Sequence, residues 1–184
     1  SKKAASKLRL RCKWVLYRLV LECLPIVRRL WALALVTTWC FVPFGAKACE
    51  LVLTEHRSGI LLTRLPLNSN LPSADIAFTH SVLGTPVLDR YVWKSSPQGW
   101  RAHLIEERFE GEGYGLPSQP ASGERLERHG SGWRLHLNRV VDPLVVLPLP
   151  AQSMRIVLPD QREFLLGQLS QKSIEMRAEN CPAP

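Results

Sequence analysis

The sequence lacks the short motifs that carry much catalytic and nucleotide chemistry. It contains no Walker loop, no dinucleotide-binding fingerprint and no Gly-x-Ser-x-Gly nucleophile elbow. Closely spaced cysteine pairs of the zinc-binding kind are also absent, so we expect neither a metal nor another cofactor. After Cys49 the helical periodicity of apolar residues is almost missing, which argues against an α-helical domain.

Acidic residues are nearly absent from the first 48 positions. Ten Lys and Arg stand there against Glu22 alone, which gives about +9. From Cys49 onward, 14 Lys and Arg against 15 Asp and Glu give about −1. The net charge of +8 therefore describes a basic leader before a nearly neutral domain. Because the bases of that domain are dispersed, we expect no nucleic-acid partner.

The leader has the order of a secretory signal. Scattered bases precede residues 30–44, which carry no charge, and Ala46-x-Ala48 would be the recognition pair for cleavage before Cys49. An uncleaved N-terminal membrane anchor is the alternative, although a spanning helix needs about 20 apolar residues. Both alternatives place the remainder outside the cytoplasm, either secreted into the periplasm or anchored to the cytoplasmic membrane. We therefore divide the chain into a leader, 1–48, and an exported domain, 49–184.

Two of the five cysteines, Cys49 and Cys181, stand at the two ends of this predicted domain. An even number of cysteines in an exported domain favours pairing. A bond between them would close a loop of more than 130 residues, worth on the order of 4 to 5 kcal/mol on the chain-entropy model. We expect this disulfide; the alternative is two unrelated thiols.

The pattern after Cys49 is that of an all-β protein. Short apolar or alternating runs recur between Gly, Pro, Asn and Ser, while residues 111–132 have the composition of a loop. We predict a single β-sandwich or partly open barrel domain, preceded by the basic and apolar N-terminal export or anchor segment. Strands are expected near 50–54, 59–65, 75–82, 87–94, 100–109, 133–138, 154–158 and 163–169.

His80 and Ser81 end one predicted strand. Adjacent strand residues point to opposite faces, so they do not form a nucleophile and base, and a hydrolase is the least expected function. A structural role is favoured for His80, with a carboxylate or a backbone group as its partner. The glycines Gly113 and Gly115, followed by Pro117, indicate a tightly turned backbone at the end of another strand.

Acidic residues cluster just before those glycines, at 106, 107, 110 and 112. A solvated strand face is the default interpretation, and a carboxylate turned inward toward His80 is the alternative. Strand alternation places Asp89 on the face of Tyr91 and Trp93, and Glu107 on the face of Phe109. The two acids converge if those faces meet.

Two blocks of this sequence, His80-Ser81-Val82 and Gly113-x-Gly115-Leu116-Pro117, resemble DUF1850, a bacterial family of unknown function. The resemblance covers roughly residues 49–133. It implies a small exported partner of TRAP transporters of the TAXI class, which combine an extracytoplasmic solute-binding protein with a membrane permease. Members often carry Ala where this chain has Tyr114, a departure that argues against a tight glycine-like turn there.

We therefore expect a non-catalytic extracytoplasmic accessory protein, with a TRAP permease or solute-binding protein as partner and with the membrane contacted through the N-terminal segment. The alternative is a small ligand- or ion-binding β-module that uses His80, Asp89 and Glu107. The candidate binding or structural cluster consists of His80, Ser81, Asp89, Glu107, Gly113, Gly115 and Pro117.

Overall fold

A computed structural model describes residues 48–182, which form eleven β-strands, one four-residue helix and one 3-10 turn. The all-β prediction is confirmed. The strands are β1 (Glu50–Glu55), β2 (Leu61–Pro66), β3 (Ser73–Thr79), β4 (Pro86–Ser96), β5 (Gly99–Phe109), β6 (Arg125–His129), β7 (Gly132–Val141), β8 (Leu144–Val146), β9 (Arg155–Val157), β10 (Glu163–Leu165) and β11 (Ile174–Glu179). The helix is α1 (Leu166–Leu169), and the 3-10 turn is Pro150–Gln152.

The predicted leader lies outside the described residues, and so does Ala46 of the predicted cleavage pair. Ala48 is described and is exposed. The division of the chain at Cys49 and the cleavage site therefore stay predictions.

The strands form two antiparallel sheets. The smaller sheet has the order β2-β1-β11-β8, and the larger has the order β10-β9-β3-β4-β5-β7-β6. The chain leaves the larger sheet at Val141 and enters the smaller one at Leu144, across a cis Asp142–Pro143 peptide bond. β4 and β5 are the longest strands, at eleven residues each, so the larger sheet is roughly 35 Å from end to end.

Both sheets contribute to one hydrophobic core. Alternation along β4 turns Val87, Tyr91 and Trp93 inward, and each is less than 8% exposed. From the smaller sheet, Leu51 and Ile174 are fully buried. Burying a side chain of this size stabilises the fold by about 1.5 to 3 kcal/mol, which explains why these alternating runs specify the sheet faces.

A β-bulge at Ile105 changes the direction of side chains within β5. On β4, Tyr91 faces Leu104 and Arg90 faces Glu106, so Ile105 is the extra residue. Because side chains alternate with a period of two, strict alternation from Leu104 would point Glu106 inward and Glu107 outward. The bulge reverses this order and puts Glu107 on the core face with Leu104.

A disulfide joins Cys49, just before β1, to Cys181, just after β11, across 132 residues of sequence. The two strands are antiparallel neighbours, with Glu50 opposite Glu179, so the pairing of β1 with β11 brings the cysteines together. Cys49 is almost completely buried. The expected bond is present and closes the described domain at its two ends.

Several predicted boundaries were wrong. Residues 80–82 form a turn instead of the end of a strand, since the Gly84 amide bonds the His80 carbonyl oxygen at 2.9 Å. α1 replaces the second half of the strand predicted at 163–169. β6 lies inside the predicted loop and contains a single apolar residue, Leu126, because it is an edge strand with much of its surface in water. β11 was missed although its apolar residues alternate.

Candidate functional site

Two acidic side chains face each other on the core side of the larger sheet. Asp89 of β4 is the cross-strand partner of Glu107 of β5, and directly opposed residues have their Cβ atoms about 5 Å apart. Their outer neighbours in the sheet are apolar: Ile76 of β3 lies opposite Asp89, and Leu135 of β7 lies opposite Glu107. We call Asp89 and Glu107 the carboxyl pair.

The environment of the carboxyl pair disfavours two negative charges. Asp89 Oδ1 and Glu107 Oε2 are buried and have no hydrogen-bond partner. Burial raises the pKa of Asp89 to about 7, and the facing charge of Glu107 adds to the shift. Burial also raises the pKa of Glu107, while the Arg139 guanidinium acts in the opposite direction. The pair therefore holds a proton close to neutral pH.

Two further groups complete this environment. Burial and both carboxylates raise the pKa of the Tyr91 hydroxyl, which stays protonated. Arg139 of β7 makes a bidentate pair with Glu124, at 2.7 Å from Nε and 2.8 Å from an Nη atom. A hydrogen bond from the Ala121 amide, followed by Arg139, lowers the pKa of Glu124. Arg139 therefore forms an ion pair with Glu124, and its positive charge also favours the ionised form of Glu107.

His80 lies apart from the carboxyl pair. Its Nδ1 accepts from the backbone amides of Val82 at 3.3 Å and Leu83 at 3.2 Å. That arrangement leaves the proton on Nε2, which lies 3.3 Å from the carbonyl oxygen of Tyr114. His80 follows Ile76 by four residues, roughly 13 Å along an extended strand from the level of Asp89. The hydrogen-bond partners of the His80 ring are backbone groups, and they lie at the end of the larger sheet where β3 and β5 end.

The two sequence blocks meet at this end of the sheet. The β3–β4 turn, residues 80–85, and the loop that follows β5, residues 111–117, are joined by His80 and by a bond of 2.8 Å from Thr85 Oγ1 to the Glu110 carbonyl oxygen. Gly111 has a φ of 95°, which favours glycine, and a Cβ atom added there would lie 2.9 Å from Leu83 Cδ1 and displace the end of that side chain. We call residues 80–85 and 111–117 the tip.

Tyr114 has a left-handed backbone, with a φ of 53° between Gly113 at 77° and Gly115 at 93°. The tight turn is therefore present although this position carries a bulky side chain. Such a backbone costs roughly 1 to 2 kcal/mol for a residue other than glycine. The Tyr114 side chain is 71% exposed and gains little burial in return.

The structure thus divides the predicted cluster. His80, Ser81, Gly113, Gly115 and Pro117 belong to the tip, whereas Asp89 and Glu107 form the carboxyl pair. The inward carboxylate of Glu107 faces Asp89 instead of His80. Sequence reasoning missed Arg139 and Glu124, because their contact depends on the pairing of β7 with β6, and the β6 region was predicted as part of a loop.

Within residues 48–182, no group of three or more His, Cys, Asp or Glu side chains is placed to hold a metal ion. Across the same described stretch, no helix has the length and apolar character needed to cross a membrane.

The family model described as "Domain of unknown function (DUF1850)" matches residues 75–165. The chain therefore contains a DUF1850 domain. The match includes both the carboxyl pair and the tip, and it extends beyond residue 133, where the sequence resemblance stopped. No curated protein and no solved structure matches the chain. For this DUF1850 protein, the family description assigns no activity, so a function has to be argued from its own residues.

Proposed function

We propose that this DUF1850 protein is a non-catalytic extracytoplasmic accessory protein that binds a component of a TAXI-type TRAP transporter through its tip. The observation that carries the proposal is Tyr114, a strained residue whose ring projects into solvent. Bulky residues in the left-handed region persist only where surrounding contacts hold them, and such positions cluster at functional sites. Here the holding contact comes from His80.

The side chains offered by the tip suit recognition of a protein. Tyr114 is 71% exposed and Val82 is 62% exposed, and the His80 ring links their backbones. Tyrosine is among the residue types that dominate interface energies, because its ring supplies a large contact area with few rotatable bonds. Leu83 and Leu116 are partly buried behind them and support the surface.

The placement of the acids supports a non-catalytic role. Asp89 and Glu107, the described acids with raised pKa values, are directed into the core between Ile76 and Leu135. A general acid or base has to come within hydrogen-bond distance of its substrate. Ser81 lies in a solvent-exposed turn, and the hydrogen bonds of the neighbouring His80 go to backbone groups instead of its hydroxyl.

Affinity purification tests the proposal. The tagged full chain is recovered from detergent-solubilised membranes of cells that contain the transporter, and we expect the permease or the solute-binding protein to be enriched. Tyr114→Ser and Val82→Ser are expected to lose most of the enrichment, whereas Tyr114→Phe keeps the ring and serves as the matched control. Equal recovery with all variants, or recovery of neither component in several detergents, would contradict the proposal.

Export is tested separately. A reporter enzyme that is active only outside the cytoplasm, fused after Pro184, is expected to be active. An inactive but intact fusion would remove the extracytoplasmic location and leave the binding test unaffected.

A further inference from the structure

The end of the domain opposite the tip carries a second group of accessible apolar residues. The β4–β5 hairpin closes there between Ser96 and Gly99, roughly 35 Å from the tip along the larger sheet. We call residues 69–72, 94–101 and 182 the hairpin end. Leu71 is 57% exposed and Pro182 is also exposed.

Trp100 lies between two clefts at the hairpin end. On one side, a cleft of about 570 Å³ is lined by Leu71, Trp93 and Pro182 among others. On the other side, a cleft of about 470 Å³ is lined by Arg101 and Asp142 among others. Trp100 borders both clefts and is only partly buried, so its ring combines an apolar face with access to water. This combination is typical of the tryptophans found at membrane–water interfaces.

Charges at the hairpin end are compatible with phosphate groups. Arg101 pairs with Asp142 at 3.0 Å, so this pair contributes little net charge. Lys94 is exposed and bonds the amide oxygen of Asn138 at 3.0 Å, a neutral partner that leaves the lysine charge in place. An anionic surface that approached the apolar cleft would therefore meet the ammonium group of Lys94.

The described chain also begins at this end. Pro182 lines the larger cleft and directly follows Cys181, whose disulfide partner is Cys49. The uncharged run at 30–44 ends four residues before Ala48. The start of the described domain is therefore only four residues of sequence from the segment that is predicted to contact the membrane.

We propose that the hairpin end rests on the surface of a phospholipid bilayer, with Leu71 and Trp100 at the level of the headgroups and Lys94 beside lipid phosphates. This inference rests on the extracytoplasmic location proposed above and on the membrane contact that the N-terminal segment predicts. Burial of a few apolar side chains together with lysine–phosphate attraction is the usual basis of such interfacial contact. The tip would then point away from the lipid, toward the solute-binding component of a transporter.

Tryptophan quenching by brominated lipids tests the contact. The full chain is reconstituted into vesicles of phosphatidylcholine and phosphatidylglycerol, with and without bromine atoms on the upper acyl chain. The emission of Trp100 is obtained as the difference between the wild type and Trp100→Phe. Trp133→Phe is the matched control, since Trp133 pairs with Phe109 near the tip, about 30 Å away along β5.

We expect brominated lipid to remove most of the Trp100 component and to leave the Trp133 component unchanged, and Leu71→Ser to weaken the quenching of Trp100. Acrylamide quenching in detergent measures the accessibility of each tryptophan ring. It distinguishes a ring that the protein shields from a ring that lies far from the lipid. A chain that floats with the vesicles while its reachable Trp100 stays unquenched would overturn this inference alone. A chain that does not float would overturn the proposed membrane association as well.

Discussion

Replacing Asp89 by asparagine should stabilise the domain, and more so at high pH than at low pH. The substitution keeps the shape of the side chain but removes the charge that burial and Glu107 oppose. Because its pKa is about 7 in the folded state, against an ordinary value of 3.8, the carboxyl group binds its proton more tightly when folded. Folding must therefore oppose the ionisation of Asp89 at pH 8.

The sign and the size of this pH dependence of the free energy of unfolding follow from proton linkage. Well below its ordinary pKa of 3.8, Asp89 is protonated in both states and does not affect the free energy of unfolding. Between pH 4 and 7 the unfolded chain releases a proton that the folded chain keeps, so the free energy of unfolding falls by up to about 1.4 kcal/mol per pH unit. Between pH 5 and 8 this amounts to about 2 to 3 kcal/mol, which is an upper value because Asp89 is only partly shielded from solvent.

Urea unfolding of the full chain in mild detergent, measured at half-unit steps from pH 5 to 8, provides the assay. The gain of Asp89→Asn over the wild type should increase by up to about 2 to 3 kcal/mol across this range, as linkage requires. Taking the difference between variant and wild type cancels the contribution of ionisable groups elsewhere in the chain. Glu107→Gln should also reduce the pH dependence of the free energy of unfolding, because it removes the charge that faces Asp89. A gain that is independent of pH would refute the argument.

Three other perturbations test separate features. Cys49→Ser with Cys181→Ser should lower the free energy of unfolding by about 5 kcal/mol, because the bond closes a loop of 132 residues, and a reductant should lower the melting temperature of the wild type alone; free thiols at both positions after native purification would contradict this. Tyr114→Gly should exceed Tyr114→Ala in stability by about 1 kcal/mol, since only glycine tolerates the φ of 53° without strain; equal denaturation midpoints would argue against strain. His80→Ala should speed hydrogen exchange of the Val82 and Leu83 amides, leaving the amides of β4 as an internal control.

Much of the fold was predictable because alternation and burial agree. Val87, Tyr91 and Trp93 share one face by a simple period of two, and the structure buries all three. The cysteines at the ends of the predicted domain were sufficient to predict their bond. The tip was indicated by the glycines, whose left-handed backbones are a local property of the chain.

The carboxyl pair was only half predictable. Alternation alone put Asp89 and Glu107 on faces that needed to meet, but the register between β4 and β5 is a tertiary property. The bulge at Ile105 has no signature in the local sequence, although it decides which glutamate faces Asp89. The Arg139–Glu124 contact was out of reach for a similar reason, since β6 has too few apolar residues to be recognised as a strand.

The position of β11 has a consequence for the order of assembly. β11 lies between β1 and β8 in the smaller sheet, yet it is the last strand of the described chain. When the polypeptide emerges amino terminus first, the β1–β2 hairpin is exposed before β11 is available to pair with β1. An unpaired strand edge of this kind favours association with other chains. The smaller sheet and the Cys49–Cys181 disulfide can therefore be completed only after the whole domain has emerged.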